Sequence, residues 1–205
     1  MRRSFLPLPT LALGAFLLCL VSTLSAAQAS AAPKRQSCAT VGTTIDASSY
    51  ARVYRSRGFA YACLRDGRRR QIGAARDDTY TGLYIYRLAG RFLATDELVC
   101  LRGVDCTASL EVRDLVSGRV LRSAQVDDDA NEILDLVVTS KGEVAWIRSN
   151  NVVRQVLKLD ASGPPAVLDE GNDIAFSSLS LAGNRLYWMH GDGPRTGQLG
   201  AVPAG

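Results

Sequence analysis

A local pattern of an apolar stretch, a glycine turn and an alternating apolar strand returns four times along this chain. The turns are Arg57-Gly58-Phe59-Ala60-Tyr61, Ala89-Gly90-Arg91-Phe92-Leu93, Lys141-Gly142-Glu143-Val144-Ala145-Trp146 and Ala182-Gly183-Asn184-Arg185-Leu186-Tyr187-Trp188. A hairpin unit of this size cannot bury its apolar face alone, so its copies must stack on, or wheel around, a shared core. The turn glycines lie 32, 52 and 41 residues apart, and a spacing of roughly forty suits a four-stranded unit. The first three units also carry a second turn signal, Asp66-Gly67, Ser117-Gly118 and Ser162-Gly163-Pro164-Pro165 in turn. Glycine is favoured in such turns because it tolerates positive φ. The segments between are rich in β-branched and aromatic residues, as in Leu83-Tyr84-Ile85-Tyr86 and Leu136-Val137-Val138-Thr139, and show no helical stripe.

The stretch Thr139-Ser140-Lys141-Gly142-Glu143-Val144-Ala145-Trp146-Ile147 resembles the turn and apolar strand of TolB-like and WD40-like secreted propeller repeats of bacteria. The resemblance covers roughly residues 44–200. It implies an all-β fold of about four repeated antiparallel units, propeller-like; a β-sandwich of equal strand content is the alternative. The Trp-Asp and Gly-His signatures of WD40 repeats are missing. The last unit stops soon after Leu199, so either the segment around Thr43–Ile45 completes it or the ring is incomplete. In the propeller reading Tyr61, Leu93, Trp146 and Trp188 take equivalent places. The longest interval holds Cys100 and Cys106, which are expected to flank an inserted loop.

Residues 1–29 have the order of a secretory signal peptide: Arg2-Arg3, an apolar run from Leu11 to Val21, then small residues with cleavage after Ala29 or Ala31. The run is shorter than the ~20 residues of a membrane span, so no stable span is expected after cleavage. Arg2-Arg3-Ser4-Phe5-Leu6 resembles a twin-arginine signal without its polar lead-in. Leu18 before Cys19 does not fit a lipoprotein site. Residues 30–42 are expected to be a mobile arm and 43–205 one propeller-like β domain.

Removing residues 1–29 takes two arginines and no acids, leaving 22 basic against 20 acidic side chains, net +2. That balance demands no polyanionic partner, and nucleic acid is not expected. Cys38, Cys63, Cys100 and Cys106 remain, an even number that in an exported chain implies two disulfides. Pairing Cys100 with Cys106 would pin a short loop, and Cys38 would then tie the N-terminus to the strand of Cys63.

Several clusters carry chemistry. Asp127, Asp129 and Asn131 alternate as calcium ligands do, but Glu132 and Val138 stand where an EF-hand needs Gly and Glu; a solvated loop is the expectation, with no metal or cofactor. Arg65-Asp66-Gly67-Arg68-Arg69-Arg70 straddles a hairpin tip, where charge is ordinary, though it would suit phosphates or an acidic surface polymer. His190 sits near Asp192 but has no Gly-x-Ser-x-Gly nucleophile. No catalytic residue is assigned. The leading expectation is an exported, non-catalytic binding or protein-interaction module with an unknown protein or cell-envelope ligand. The alternatives are a hydrolase or lyase in which Asp46, Asp96, Asp135 and Asp173 converge at a central face, and one part of a larger self-associated propeller.

Overall fold

The computed structural model describes residues 38–74, 82–101, 105–126, 132–149 and 152–200, within a unit spanning Arg35–Gly205. The expected signal segment, the other residues before Cys38 and residues 127–131 lie outside the described residues. Among the described residues fifteen strands follow a short 3-10 turn at Cys38–Thr40. The first sheet holds β1 (Thr43–Ala47), β2 (Ala51–Ser56), β3 (Phe59–Leu64) and β4 (Arg69–Ala74); the second holds β5 (Gly82–Ala89), β6 (Phe92–Leu101), β7 (Asp105–Asp114) and β8 (Val120–Val126). The third holds β9 (Glu132–Val138), β10 (Val144–Ser149), β11 (Arg154–Leu159) and β12 (Ala166–Gly171). The fourth has three strands, β13 (Ser180–Ala182), β14 (Arg185–His190) and β15 (Gly193–Gln198). Every sheet is an antiparallel meander in chain order, and the fold is all-β and propeller-like.

Three buried clusters, one between each pair of successive sheets, hold the array together. Val53, Ala60 and Ala62 of the first sheet meet Tyr86, Leu93 and Leu115 of the second. Leu110, Val112 and Val126 meet Leu136, Val138 and Trp146 of the third, whose Ile147 and Val156 meet Leu186 and Trp188 of the fourth. Three sheet-to-sheet cores exclude a two-layer sandwich. No buried cluster among the described residues joins the first sheet to the fourth. The first strands of successive sheets approach one another, β1 against β5, β5 against β9 and β9 against β13, so they line the inside of the array.

The turn glycines explain both the repeat and one error in its phase. Gly90, Gly142 and Gly183 each turn the first strand of a sheet into the second with φ of 59°, 79° and 64°, a conformation costly for residues with a Cβ. Gly58 instead joins β2 to β3. Leu93, Trp146 and Trp188 therefore do share one face, that of a second strand toward the preceding sheet, but Tyr61 on β3 does not; Tyr54 is the residue of the first sheet on the corresponding face of its second strand. The long interval is not a loop insertion. β6 and β7 run ten residues each, and Cys100 pairs directly with Cys106 in their register.

Tyr54 faces away from the second sheet, on a side that no other sheet of the described residues covers. Cys38 and Cys63 do so, joined by a disulfide with Cα atoms 5.6 Å apart. Val41 packs beside them and Tyr61 stacks on Tyr54 at 5.5 Å. Arg52 locks this cap: its guanidinium donates to the carbonyls of Cys38, Val41 and Gly42, each at 2.9 Å, and to Thr44 Oγ1 at 2.7 Å. Among the described residues Cys38 and Val41, both within the stretch 30–42 expected to be a mobile arm, are packed against the first sheet. The bond closes a loop of 25-residue separation, and Cys38→Ser with Cys63→Ser is expected to cost about 2–4 kcal/mol. Urea unfolding of both forms checks this; equal midpoints would refute it. Thr43 and Thr44 pair with β2 rather than with the fourth sheet, in which the described residues form three strands.

Candidate functional site

Two of the places that gather polar side chains are a groove at the turn end of the first sheet and a histidine cluster between the third and fourth.

The groove is enclosed by the β1–β2 turn, the β3–β4 turn and the Cys38–Cys63 bond, with a volume of about 470 Å3. The Ser48 hydroxyl fixes its inner wall: it donates to the Gly90 carbonyl at 2.6 Å and accepts from the Tyr50 and Ala51 amides at 3.2 Å. Tyr50, which follows, is held beside Gly90 with 58% of its surface exposed. Arg65 also lines the groove, next to Tyr50, its backbone amide bonded to the Tyr50 carbonyl at 3.0 Å. Its guanidinium makes one long contact, 3.4 Å, to the Ser49 carbonyl. Arg52, also on the lining, is spent on the cap.

This groove sits in a markedly basic sheet. Residues 43–74 hold seven arginines (52, 55, 57, 65, 68, 69 and 70) against two acids, Asp46 and Asp66. Asp66 pairs with Arg68 at 2.6 Å, and Arg70 donates to the Val116 carbonyl of the second sheet at 2.7 Å. Arg69 lies on the ring of Tyr61, 3.7 Å from its centroid, with Phe59 exposed next to it. The basic run at 65–70 is thus partly structural, but its exposed members surround an aromatic face.

At the other end of the fold, His190 closes β14. Its Nδ1 lies 2.9 Å from Asp169 Oδ2 and its Nε2 lies 2.8 Å from Asp173 Oδ1. Trp188 Nε1 donates to the same Asp169 oxygen at 2.6 Å. Burial alone would raise the Asp169 carboxyl; the Trp188 and His190 hydrogen bonds outweigh it and hold it below the usual carboxylate range. Gly171 is needed here for space, since a Cβ would sit 2.7 Å from His190 Nε2. The cluster ties β12, the crossover and β14 together. Arg154 reinforces it, donating to the Ile174 carbonyl at 2.6 Å and covering Phe176. With a carboxylate oxygen at each nitrogen, the ring is engaged on both sides by structural partners.

The four carboxylates proposed for a central face go to separate tasks. Asp46 Oδ2 accepts the Leu88 amide of β5 at 2.8 Å, and Asp135 Oδ2 accepts the Leu179 amide ahead of β13 at 3.0 Å. Arg87 reaches Asp135 at 3.6 Å, so these two acids join inner strands of adjacent sheets. Asp96 is buried between the second and third sheets with Oδ1 unpartnered, and burial and then Glu132 push its carboxyl up to about 7. Asp173 belongs to the histidine cluster. Among the described residues no three His, Cys, Asp or Glu side chains are placed to hold a metal ion, and no helix is long and apolar enough to cross a membrane. Trp146 and Trp188 are 2% and 4% exposed, and Tyr187 36%, so both tryptophans are packing residues.

Sequence reasoning passed over Tyr50, Ser48 and Asp169. Ser48-Ser49-Tyr50 carries no glycine and so does not announce a turn, and Asp169 meets His190 only because the third sheet packs on the fourth.

No protein-family model matches the chain, and no curated protein matches it. Among solved structures it is similar to the β-propeller domain of the trilobed protease from Pyrococcus furiosus, at 15% identity and a TM-score of 0.43, covering 54% of this chain and 34% of that one. It is also similar to the Pyrococcus horikoshii acylaminoacyl peptidase, at 15% identity and a TM-score of 0.40, over 53% of this chain and 17% of that one. A third is Hsv2 from Kluyveromyces marxianus, at 13% identity and a TM-score of 0.47, over 74% of this chain and 50% of that one.

Proposed function

We propose that this chain is exported and works as a non-catalytic binding module, its contact surface being the basic, aromatic first sheet and its groove. The observation that carries the reading is the division of labour between the two polar places. The His190 cluster and the inner-strand aspartates close on each other and on backbone amides. The first sheet, by contrast, presents Tyr50 and Arg65 at a groove, and Phe59 and further exposed arginines elsewhere on its surface. Exposed aromatics with arginine are the composition of contact surfaces. The Arg2-Arg3 leader, the small residues to Ala31 and the Cys38–Cys63 bond all support an extracytoplasmic site of action.

The test uses the full chain with a C-terminal tag, expressed in a bacterial host. N-terminal sequencing of the product outside the cytoplasm is expected to begin at Ser30 or Ala32. Co-sedimentation with washed cell envelopes is expected to fall when Arg65, Arg68 and Arg69 are changed to Gln, and to be unaffected by His190→Ala. Retention of the leader on a cytoplasmic product would overturn export. Equal sedimentation of folded wild type and triple variant would overturn the assigned surface.

A further inference from the structure

We infer that the groove of the first sheet accommodates an acidic sugar unit, its carboxylate against Arg65 and its ring against Tyr50. This rests on the binding-module reading and gives that module a ligand class. A volume of about 470 Å3 lies in the range of small-molecule sites and matches one or two sugar rings. Two of its lining residues differ in kind. One is a tyrosine, 58% exposed, whose backbone amide is held by the Ser48 hydroxyl. The other is an arginine beside it whose guanidinium makes one long bond, to the Ser49 carbonyl, leaving most of its fork of donors directed elsewhere.

An aromatic plate suits the C–H face of a pyranose, and the arginine fork suits a carboxylate bidentately. The surrounding field favours the same sign, with seven arginines against two acids in this sheet while the exported chain carries only +2 overall. A single-stranded nucleic acid would call instead for a series of stacking platforms along a basic track. A neutral sugar would leave the arginine unanswered.

The experiment is calorimetric titration of the full exported protein, at low ionic strength and again with added salt. The ligands are a galacturonic acid trimer, the matching neutral galactose trimer and inorganic phosphate. The acidic trimer is expected to bind, to weaken with salt, and to bind at least about tenfold more tightly than the other two, the factor made by roughly 1.4 kcal/mol. Arg65→Gln and Tyr50→Ala should each weaken it by about tenfold or more with unchanged melting temperature, and a remote Arg195→Gln should not. Equal binding of the neutral trimer, or phosphate binding as tightly as the acidic trimer, overturns the assignment from the wild type alone, whatever the variants do. So does a folded Arg65→Gln protein with unchanged affinity. If none of the three ligands binds while envelopes still retain the protein, the ligand class fails and the module reading stands; if neither binds, both fall.

Discussion

Trp146→Ala is expected to cost about 3–5 kcal/mol of stability, the range for truncating a large buried aromatic. The residue is 2% exposed and sits in the middle core, where its ring meets the second sheet. The loss compares with the ~5–15 kcal/mol that holds a typical domain together, so the variant should fold poorly at 37 °C. Its indole N–H has no partner, so Trp146→Phe should lose much less, because it removes an unsatisfied donor along with some of the ring. Denaturant melts of the three forms decide the matter. Equal stability of wild type and Trp146→Ala would remove the middle core as the centre of the fold. A cheaper check comes first: with Trp188 also buried, native emission should be blue-shifted and poorly quenched by iodide.

The second large effect is electrostatic. Asp96 holds its proton up to about pH 7 because burial, and then Glu132, disfavour the charged form. An unfolded aspartate releases its proton near pH 4. Between those values the folded protein binds more protons than the unfolded chain, so stability falls as pH rises from about 4 to about 7 and then levels off. Asp96→Asn removes that titration. At pH 8 it should exceed the wild type by about 2–4 kcal/mol, using 1.36 kcal/mol per pH decade, and at pH 4 the two should nearly coincide. Melts at pH 4, 6 and 8 test this through the difference between the two proteins. A difference that does not change with pH would refute the account.

Most of the architecture was legible because turns and strands are local. Gly90, Gly142, Gly183, Gly67, Gly118 and Gly163 were all read as turns, and all take positive φ at the ends of hairpins. The phase of the first unit was not legible. Gly58 looks like its counterparts in sequence, and only strand pairing shows that it joins a second strand to a third. The lone histidine was noticed, but its partners Asp169 and Asp173 are brought to it by the register of two sheets. Trp188 was placed among the packing residues, where it lies. The groove was missed altogether, since its residues come from two turns that only a folded sheet sets side by side.

The disulfide cap has a consequence for the order of assembly. Cys38, Cys63 and the clamping Arg52 all belong to the first sheet and its lead-in. Oxidation therefore needs only the chain up to Cys63, before any later sheet has been made. Contacts so close in sequence cost little loop entropy and form early. The covered face then leaves a single open side on which the second sheet can dock, followed by the third and fourth. The stapled end gives the whole array a direction of growth, from the amino terminus outward.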